Sequence, residues 1–280
     1  FKNVSLRYRP GLPLALSDFT AELLPGQKCG VVGRTGAGKS TLVLALFRLV
    51  EPTSGSIMVD GVDTLRMGLR TLRKAIAIIP QDPVLHQGTV AHNLDPFGKT
   101  DHSVLRDALR RSQLSESMLE QEVSKGGTNL SSGERQLLCF ARSLLYDASI
   151  LVLDEATSNL DEKSDAALQK LLRVEFASYT VLTIAHRLIT VIDYHKLIVM
   201  GNGKLLEHGS PKDLLEKEGG VLKSMAKALG EAAQSALKQK CATGAVLPGM
   251  AASPTRKGPT MDVDDEDEDV EVEDVSVSQS

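Results

Sequence analysis

Gly33-Arg34-Thr35-Gly36-Ala37-Gly38-Lys39-Ser40 fits the phosphate-loop pattern G-x-x-x-x-G-K-[ST]. Ahead of it, Lys28-Cys29-Gly30-Val31-Val32 is a short apolar run that reads as a buried strand; behind it, Thr41 to Phe47 is helix-like. Strand, glycine loop and helix is the context that turns the pattern into a site. Glycines let backbone N–H groups converge on an anion with no Cβ in the way. The helix N-terminus adds its partial positive charge. Lys39 then reaches β- and γ-phosphates, and the Ser40 hydroxyl sits on Mg²⁺. A glycine-rich turn before an ordinary helix is the plainer alternative, and the flanking elements argue against it.

A second chemical feature is Ile150-Leu151-Val152-Leu153-Asp154-Glu155, an apolar strand ending in two carboxylates. Side chains alternate along a strand, so these two neighbours can take different jobs. Asp154 suits the Mg²⁺ shell, and Glu155 can polarise an attacking water as a general base. Loops often begin with an acid, so the pair alone says little. Together with the phosphate loop it makes the second half of a nucleotide site.

The elements that must hold these groups follow from the hydrophobic pattern. Residues 1–61 read as short strands broken at Pro10-Gly11, Pro25-Gly26 and Asp60-Gly61. Ala75 to Ile79 is expected to be a buried strand, then a polar, helix-rich stretch follows from about Thr89 to Tyr146. Asp161 to Glu175 is expected as an amphipathic helix and Thr180 to Ile184 as another strand. Lys196–Met200 and Lys204–Glu207 flank Gly201-Asn202-Gly203 as a hairpin. Ser210-Pro211-Lys212-Asp213 opens a helix, with Ser as N-cap and Pro at its first position. Leu222 to Leu237 has helical periodicity and can dock on the core. The alternation of strand and helix gives an α/β fold with a mainly parallel sheet.

Composition sets the bounds. The 280 residues suffice for a proper core, and the net charge is −4. Asp262 to Asp274 alone carries ten acids and no base, so the remainder of the chain is mildly basic. That suits a polyphosphate ligand without indicating nucleic acid. Cys29, Cys139 and Cys241 stand far apart and read as reduced core residues, not a disulfide or metal set. No apolar run is long enough to span a bilayer, and no secretory leader is visible. The chain opens at Phe1 in what reads as mid-strand, which suggests a piece of something longer. From about Ala242 the pattern dissolves, so residues 242–280 are expected to be a disordered acidic tail. Ser276 and Ser278 beside the acids are candidate phosphorylation sites, and a contact with a basic surface is the sharper alternative to a solvated tail.

Tyr8, Gly33 to Ser40, Gln81, Leu130-Ser131-Ser132-Gly133-Glu134, Asp154-Glu155, Ser158-Asn159-Leu160-Asp161 and His186 stand in an order and spacing that resembles the nucleotide-binding domain of ATP-binding cassette (ABC) transporters. The resemblance covers about residues 1–229. Tyr8-Arg9-Pro10-Gly11, Gly33-Arg34-Thr35-Gly36, and Gly88-Thr89-Val90 followed by Asn93 to Phe97 look most like the second such domain of the multidrug-resistance-associated (C) subfamily. It implies a P-loop NTPase core, an N-terminal antiparallel β subdomain, an inserted helical subdomain at about 85–145 and a helical extension at 230–241.

The resemblance also implies roles. ATP and Mg²⁺ would be bound by Gly33, Arg34, Thr35, Gly36, Ala37, Gly38, Lys39, Ser40 and Thr41, with Tyr8 stacked on adenine. Tyr8 is otherwise a half-buried strand tyrosine. Gln81 would touch Mg²⁺ and the water; otherwise it is a loop amide. His186 resembles a switch histidine that bonds the γ-phosphate and holds Glu155 and the water, although a lone histidine near a strand end is more often structural. Asp161 resembles an acid that communicates across a dimer. Ser131 and Gly133, at a helix N-terminus, would face the γ-phosphate held by a second, head-to-tail nucleotide-binding domain. Here the chain departs from the family's usual Leu-Ser-Gly-Gly-Gln, with Ser132 and Glu134 in place of Gly and Gln. Ser131 and Glu134 also fit a capping box. His86 stands where the subfamily usually has an aromatic.

By resemblance, then, the chain is the Mg²⁺-dependent ATPase motor of an exporter, on the cytosolic face of a membrane, with transmembrane domains and a second nucleotide-binding domain as partners. A nucleotide-sensing domain of a channel-type or channel-regulating relative, with slow hydrolysis, is the alternative; Glu155 and His186 favour the motor. A soluble relative acting on ribosomes or DNA is disfavoured by Tyr8 to Gly11, by Asn93 to Phe97 and by the lack of a basic stripe.

Overall fold

The computed structural model describes residues 1–156, 160 and 162–243. Ser158, Asn159, Asp161, the acidic block, Ser276 and Ser278 lie outside the described residues.

The chain opens with β1 (Lys2–Leu6) and β2 (Leu16–Phe19), then runs through β3 (Lys28–Gly33) into α1 (Lys39–Leu46). Short strands β4 (Ser54–Ser56), β5 (Met58–Val59) and β6 (Val62–Asp63) follow. Next come α2 (Leu69–Ala75), β7 (Ile76–Ile79), β8 (Gly88–Thr89), α3 (Val90–Leu94), α4 (His102–Arg111), β9 (Glu122–Val123) and α5 (Ser132–Leu145). The remainder is β10 (Ile150–Asp154), α6 (Glu162–Val174), β11 (Thr180–Ile184), α7 (Leu188–Val191), β12 (Lys196–Gly201) and β13 (Lys204–Gly209), then α8 (Pro211–Glu216), α9 (Val221–Ala228) and α10 (Glu231–Thr243).

The main sheet has the order β13-β12-β3-β11-β10-β7. β12, β3, β11, β10 and β7 are parallel, and β13 closes one edge antiparallel. Every residue of β3 is buried, as a central strand covered on both faces requires, hence its unbroken apolar run. The register pairs Leu153 with Ile79, Asp154 with Ile184, and Ile184 with Val31. The carboxyl ends of four strands therefore meet at one sheet edge, where α/β sheets place their ligands. A separate antiparallel sheet, β2-β1-β4, forms the N-terminal layer. The α/β architecture with its antiparallel N-terminal strands is as the sequence indicated.

The helix-rich stretch packs α3, α4 and α5 on one another. Its core, with Leu109, Leu119, Leu138 and Phe140, is continuous with β7 and β10 residues such as Ile79 and Leu151. Two details differ from expectation. Ala75 closes α2, so the strand begins at Ile76. β8 and β9 add a two-residue antiparallel ladder, Gly88 to Val123 and Thr89 to Glu122, inside a stretch that reads as helical.

The C-terminal periodicity is also split. Gly230 takes φ +88°, a left-handed conformation that separates α9 from α10. Leu222, Ala226 and Leu237 still share one core cluster with Ala185, Leu188 and Val191. Lys240 Nζ donates to the Ile189 carbonyl at 2.6 Å. All three cysteines are free, and burial pushes the Cys29 thiol up to about 12. Among the described residues no helix is long and apolar enough to cross a membrane.

Candidate active site

The phosphate loop is shaped by what surrounds it. At Gly38, which carries φ +96° and precedes α1, a Cβ would lie 2.8 Å from the Ala15 carbonyl oxygen. At Gly33 it would lie 2.4 Å from that of Met200. Neither position admits a side chain. The Gly203 N–H, in the turn between β12 and β13, donates to the Ala37 carbonyl at 3.0 Å, while the Gly203 carbonyl accepts from Ser17 N–H at 2.9 Å. The loop is thus fastened to both the hairpin and the N-terminal sheet.

α1 begins with no side-chain cap and no acid in its first turn, so its leading N–H groups and partial positive charge stay available to an anion. Arg34, Thr35, Gly36 and Ser40 are exposed. Lys39 is buried, its Nζ folded back onto the carbonyls of Gly33 (3.0 Å) and Arg34 (3.3 Å). Burial lowers its pKa, and Glu155 and then Asp154 push it back up. Tyr8 lies in the turn beyond β1, not in the strand, half exposed, with its hydroxyl 2.8 Å from Thr41 Oγ1.

Both carboxylates arrive at the end of β10, which β11 separates from β3. Asp154 ends β10 beside Ile184. Burial, and then the charge of Glu155, raise its pKa, while Lys39 and His186 lower it. Its Oδ1 is buried and has no hydrogen-bond partner among the described residues. Glu155 turns out of the strand at φ +52°, its N–H donating to the Ile184 carbonyl at 3.0 Å. Its Oε1 meets Nε2 of His186. The His186 segment is itself anchored, because Ala185 N–H donates to the Val31 carbonyl of β3 at 3.0 Å. Lys39, Asp154, Glu155 and His186 therefore form one electrostatic cluster. Gln81 is exposed two residues past Ile79, at the same sheet edge.

An orphaned buried carboxylate oxygen on Asp154 and an exposed hydroxyl on Ser40 in the first turn of α1 are donors that suit Mg²⁺, a hard cation that favours oxygen ligands and usually arrives bound to phosphate. Among the described residues, no group of three His, Cys, Asp or Glu side chains stands ready to hold a metal without such a ligand. The residues fit the ion.

Ser131 and Gly133 stand apart from this cluster, at the start of α5, which packs on α3, α4, α6 and β7. The capping box is complete: Glu134 N–H donates to Ser131 Oγ (3.2 Å), and Glu134 Oε2 accepts from Ser131 N–H (2.8 Å) and Oγ (2.7 Å). Sequence motifs missed Gln136, a buried amide on the same helix whose Nε2 donates to Pro80 and Ala156 carbonyls. A long amide among the mostly apolar buried positions of α5, with Ser143 the other buried polar side chain there, was the available signal. His86 is exposed, its backbone held at both N–H and carbonyl by the buried Asn93 amide at 2.8 Å.

A family profile described as "ABC transporter" matches residues 16–158. Over 225 residues the chain is 47% identical to ATP-binding cassette sub-family C member 2 of Rattus norvegicus, covering 78% of this chain and 15% of that protein. Over 245 residues it is 45% identical to ATP-binding cassette sub-family C member 4 of Homo sapiens, covering 85% and 18%. A solved structure described as a bacterial Atm1-family ABC exporter with ATP bound superposes with a TM-score of 0.77 at 32% identity, over 83% of this chain and 42% of that one. The chain thus spans about 15–18% of the length of these two curated relatives.

Proposed function

This chain belongs to the ABC transporter family, as a nucleotide-binding domain of the C-subfamily, multidrug-resistance-associated type, and we propose that it is the ATP-binding and ATP-hydrolysing motor of an exporter. Residues 1–229 are the working domain, with the helical subdomain at about 85–145. The observation that carries this reading is the clustering of Lys39, Asp154, Glu155 and His186 at the carboxyl edge of the parallel sheet.

In this reading the phosphate loop and the α1 N-terminus receive the triphosphate, and Lys39 swings from its two carbonyls to the β- and γ-phosphates. Tyr8 covers the adenine. Asp154, Ser40 and Gln81 would hold Mg²⁺, which supplies neutralisation of phosphate charge when bound. Glu155 takes the proton of a water that attacks the γ-phosphorus as the bond to the β-phosphate oxygen breaks. His186 holds the Glu155 carboxylate and the water in line. Ser131 and Gly133 serve the site of a second, head-to-tail nucleotide-binding domain. Closing and reopening that pair would be the two-state element that moves the transmembrane domains, which places this domain on the cytosolic face of a membrane.

One observation favours the slower, nucleotide-sensing alternative. Glu134 occupies the donors of Ser131 and sets a carboxylate where a partner's triphosphate would approach. The test is MgATP turnover of this chain alone and mixed with the first-half domain of its parent. Strong stimulation on mixing supports the composite motor; turnover indifferent to the partner contradicts it.

A further inference from the structure

The helix α5 does more than present its first turn. Gln136 is 2% exposed, and its Nε2 donates to the Pro80 carbonyl at 3.1 Å and to the Ala156 carbonyl at 2.8 Å. Pro80 immediately precedes Gln81, and Ala156 immediately follows Glu155. The two carbonyls leave the ends of adjacent parallel strands, β7 and β10, whose last registered pair is Leu153 with Ile79. Beyond that pair the backbone ladder between these strands has ended. A primary amide has two N–H donors, and here each serves one strand end.

We propose that Gln136 is a positioning residue that fixes the spacing between the segment carrying Gln81 and the segment carrying Glu155. It extends the β7–β10 ladder by one side-chain rung, at the level where backbone pairing has stopped and the catalytic groups begin. The rung is rigidly based. α5 packs against β7, Arg142 Nε of the same helix donates to the Asn93 carbonyl at 2.8 Å, and Arg135 donates to that of Leu130 at 2.7 Å. A shift of α5 along the sheet therefore moves both strand ends together. No other residue type of this size offers two donors from one planar nitrogen: Glu has none when ionised, Met has none, and Asn is one methylene too short to span both carbonyls.

This inference rests on the ATPase reading for its consequence, but not for its geometry. The test uses the full 280-residue chain with Gln136→Asn, and Gln136→Met beside it so that a folding defect in one leaves the other to decide. Hydrogen–deuterium exchange is read at the amides of Gln81 and Asp82, flanked by prolines that carry none, and of residues 154–156, alongside MgATP affinity and turnover. Exchange in both segments should quicken by roughly tenfold, the effect of losing one to two hydrogen bonds on local opening. Turnover should fall roughly 10- to 100-fold from misplacement of reacting groups. MgATP affinity should fall clearly less than turnover, through Gln81 alone, because the Glu155 interaction with the attacking water is lost only in the transition state. A purely stabilising role would instead move affinity and turnover together. Unchanged exchange in both segments overturns the proposal, as does quickened exchange with wild-type turnover. A wild-type chain that binds no MgATP defeats the ATPase reading instead, and the exchange comparison still decides the rung.

Discussion

Nε2 of His186 meets Oε1 of Glu155 across the ends of β11 and β10. The two residues lie thirty-one positions apart, yet the register that pairs Asp154 with Ile184 sets both just beyond one ladder rung. Glu155 is turned toward that contact by its left-handed backbone, a conformation that costs a non-glycine residue of order 1–3 kcal/mol. A largely buried carboxylate gripped by an imidazole at such cost is what the proposed general-base role would account for.

Glu134→Gln is expected to raise hydrolysis in the paired assembly. The amide keeps the capping box but loses the acid's charge at the helix N-terminus, so stability should fall by about 0.3–1 kcal/mol. Removing the charge should speed turnover roughly two- to fivefold, since repulsion between like charges about 4 Å apart in water is worth on the order of 1 kcal/mol or less. Slower or unchanged turnover would show that the carboxylate does not oppose the partner's triphosphate.

Tyr8 can act through its ring or through the hydroxyl on Thr41. Adenine stacking requires the ring, so Tyr8→Phe should bind MgATP with near wild-type affinity. Tyr8→Ala should bind roughly tenfold more weakly, the value of one aromatic–base stack. Equal loss in the two variants, measured with a fluorescent ATP analogue, would assign the effect to the hydroxyl.

Lys28 gives a pH signature. Its ammonium donates to the carbonyls of Phe176, Ala177 and Tyr179, and burial brings its pKa from 10.5 down to about 8. Between those values the unfolded chain binds the proton more tightly than the folded one. The protonation penalty on the fold is thus present below about 8 and relieved as pH rises toward 10.5. Lys28→Met should lose that rise. It should also be less stable by about 1–3 kcal/mol, because the carbonyls of Phe176, Ala177 and Tyr179 lose the bonds the ammonium gave them. Denaturant titrations at pH values spanning the window check both, and parallel curves would refute the linkage.

The C-terminal helix and the residues beyond it can be removed one at a time. Ending the chain after Thr243 should leave stability within about 0.5 kcal/mol. Ending it after Leu229 removes buried Leu237 and the bond from Lys240 to Ile189, three residues past His186, and should cost about 2 kcal/mol or more. If the shorter deletion alone costs as much, the acidic segment makes contacts of its own.

Much of this was readable in the residues because burial leaves a simple mark. β3, β10 and β11 are covered on both faces, so their sequences are near-continuous apolar runs, and the phosphate loop advertises its own backbone. Ser131 and Glu134 declared a cap that local spacing alone can specify. What the sequence hid is non-local. Ala75 belongs to α2 because helix and strand abut without a turn, and apolar character does not distinguish them. Gly203 gripping Ala37, and Gln136 bridging Pro80 and Ala156, depend on chain segments 166 and 20–56 residues away, which no local pattern encodes.

In the proposed motor, one pocket holds the triphosphate with Lys39 and breaks it with Glu155. The most direct measurement is MgATP turnover and MgATP binding of Glu155→Gln in the same preparation, with its partner domain present. Turnover should drop roughly 10²–10⁴-fold, the worth of a positioned general base, while nucleotide binding persists. Wild-type turnover in that variant would contradict the account.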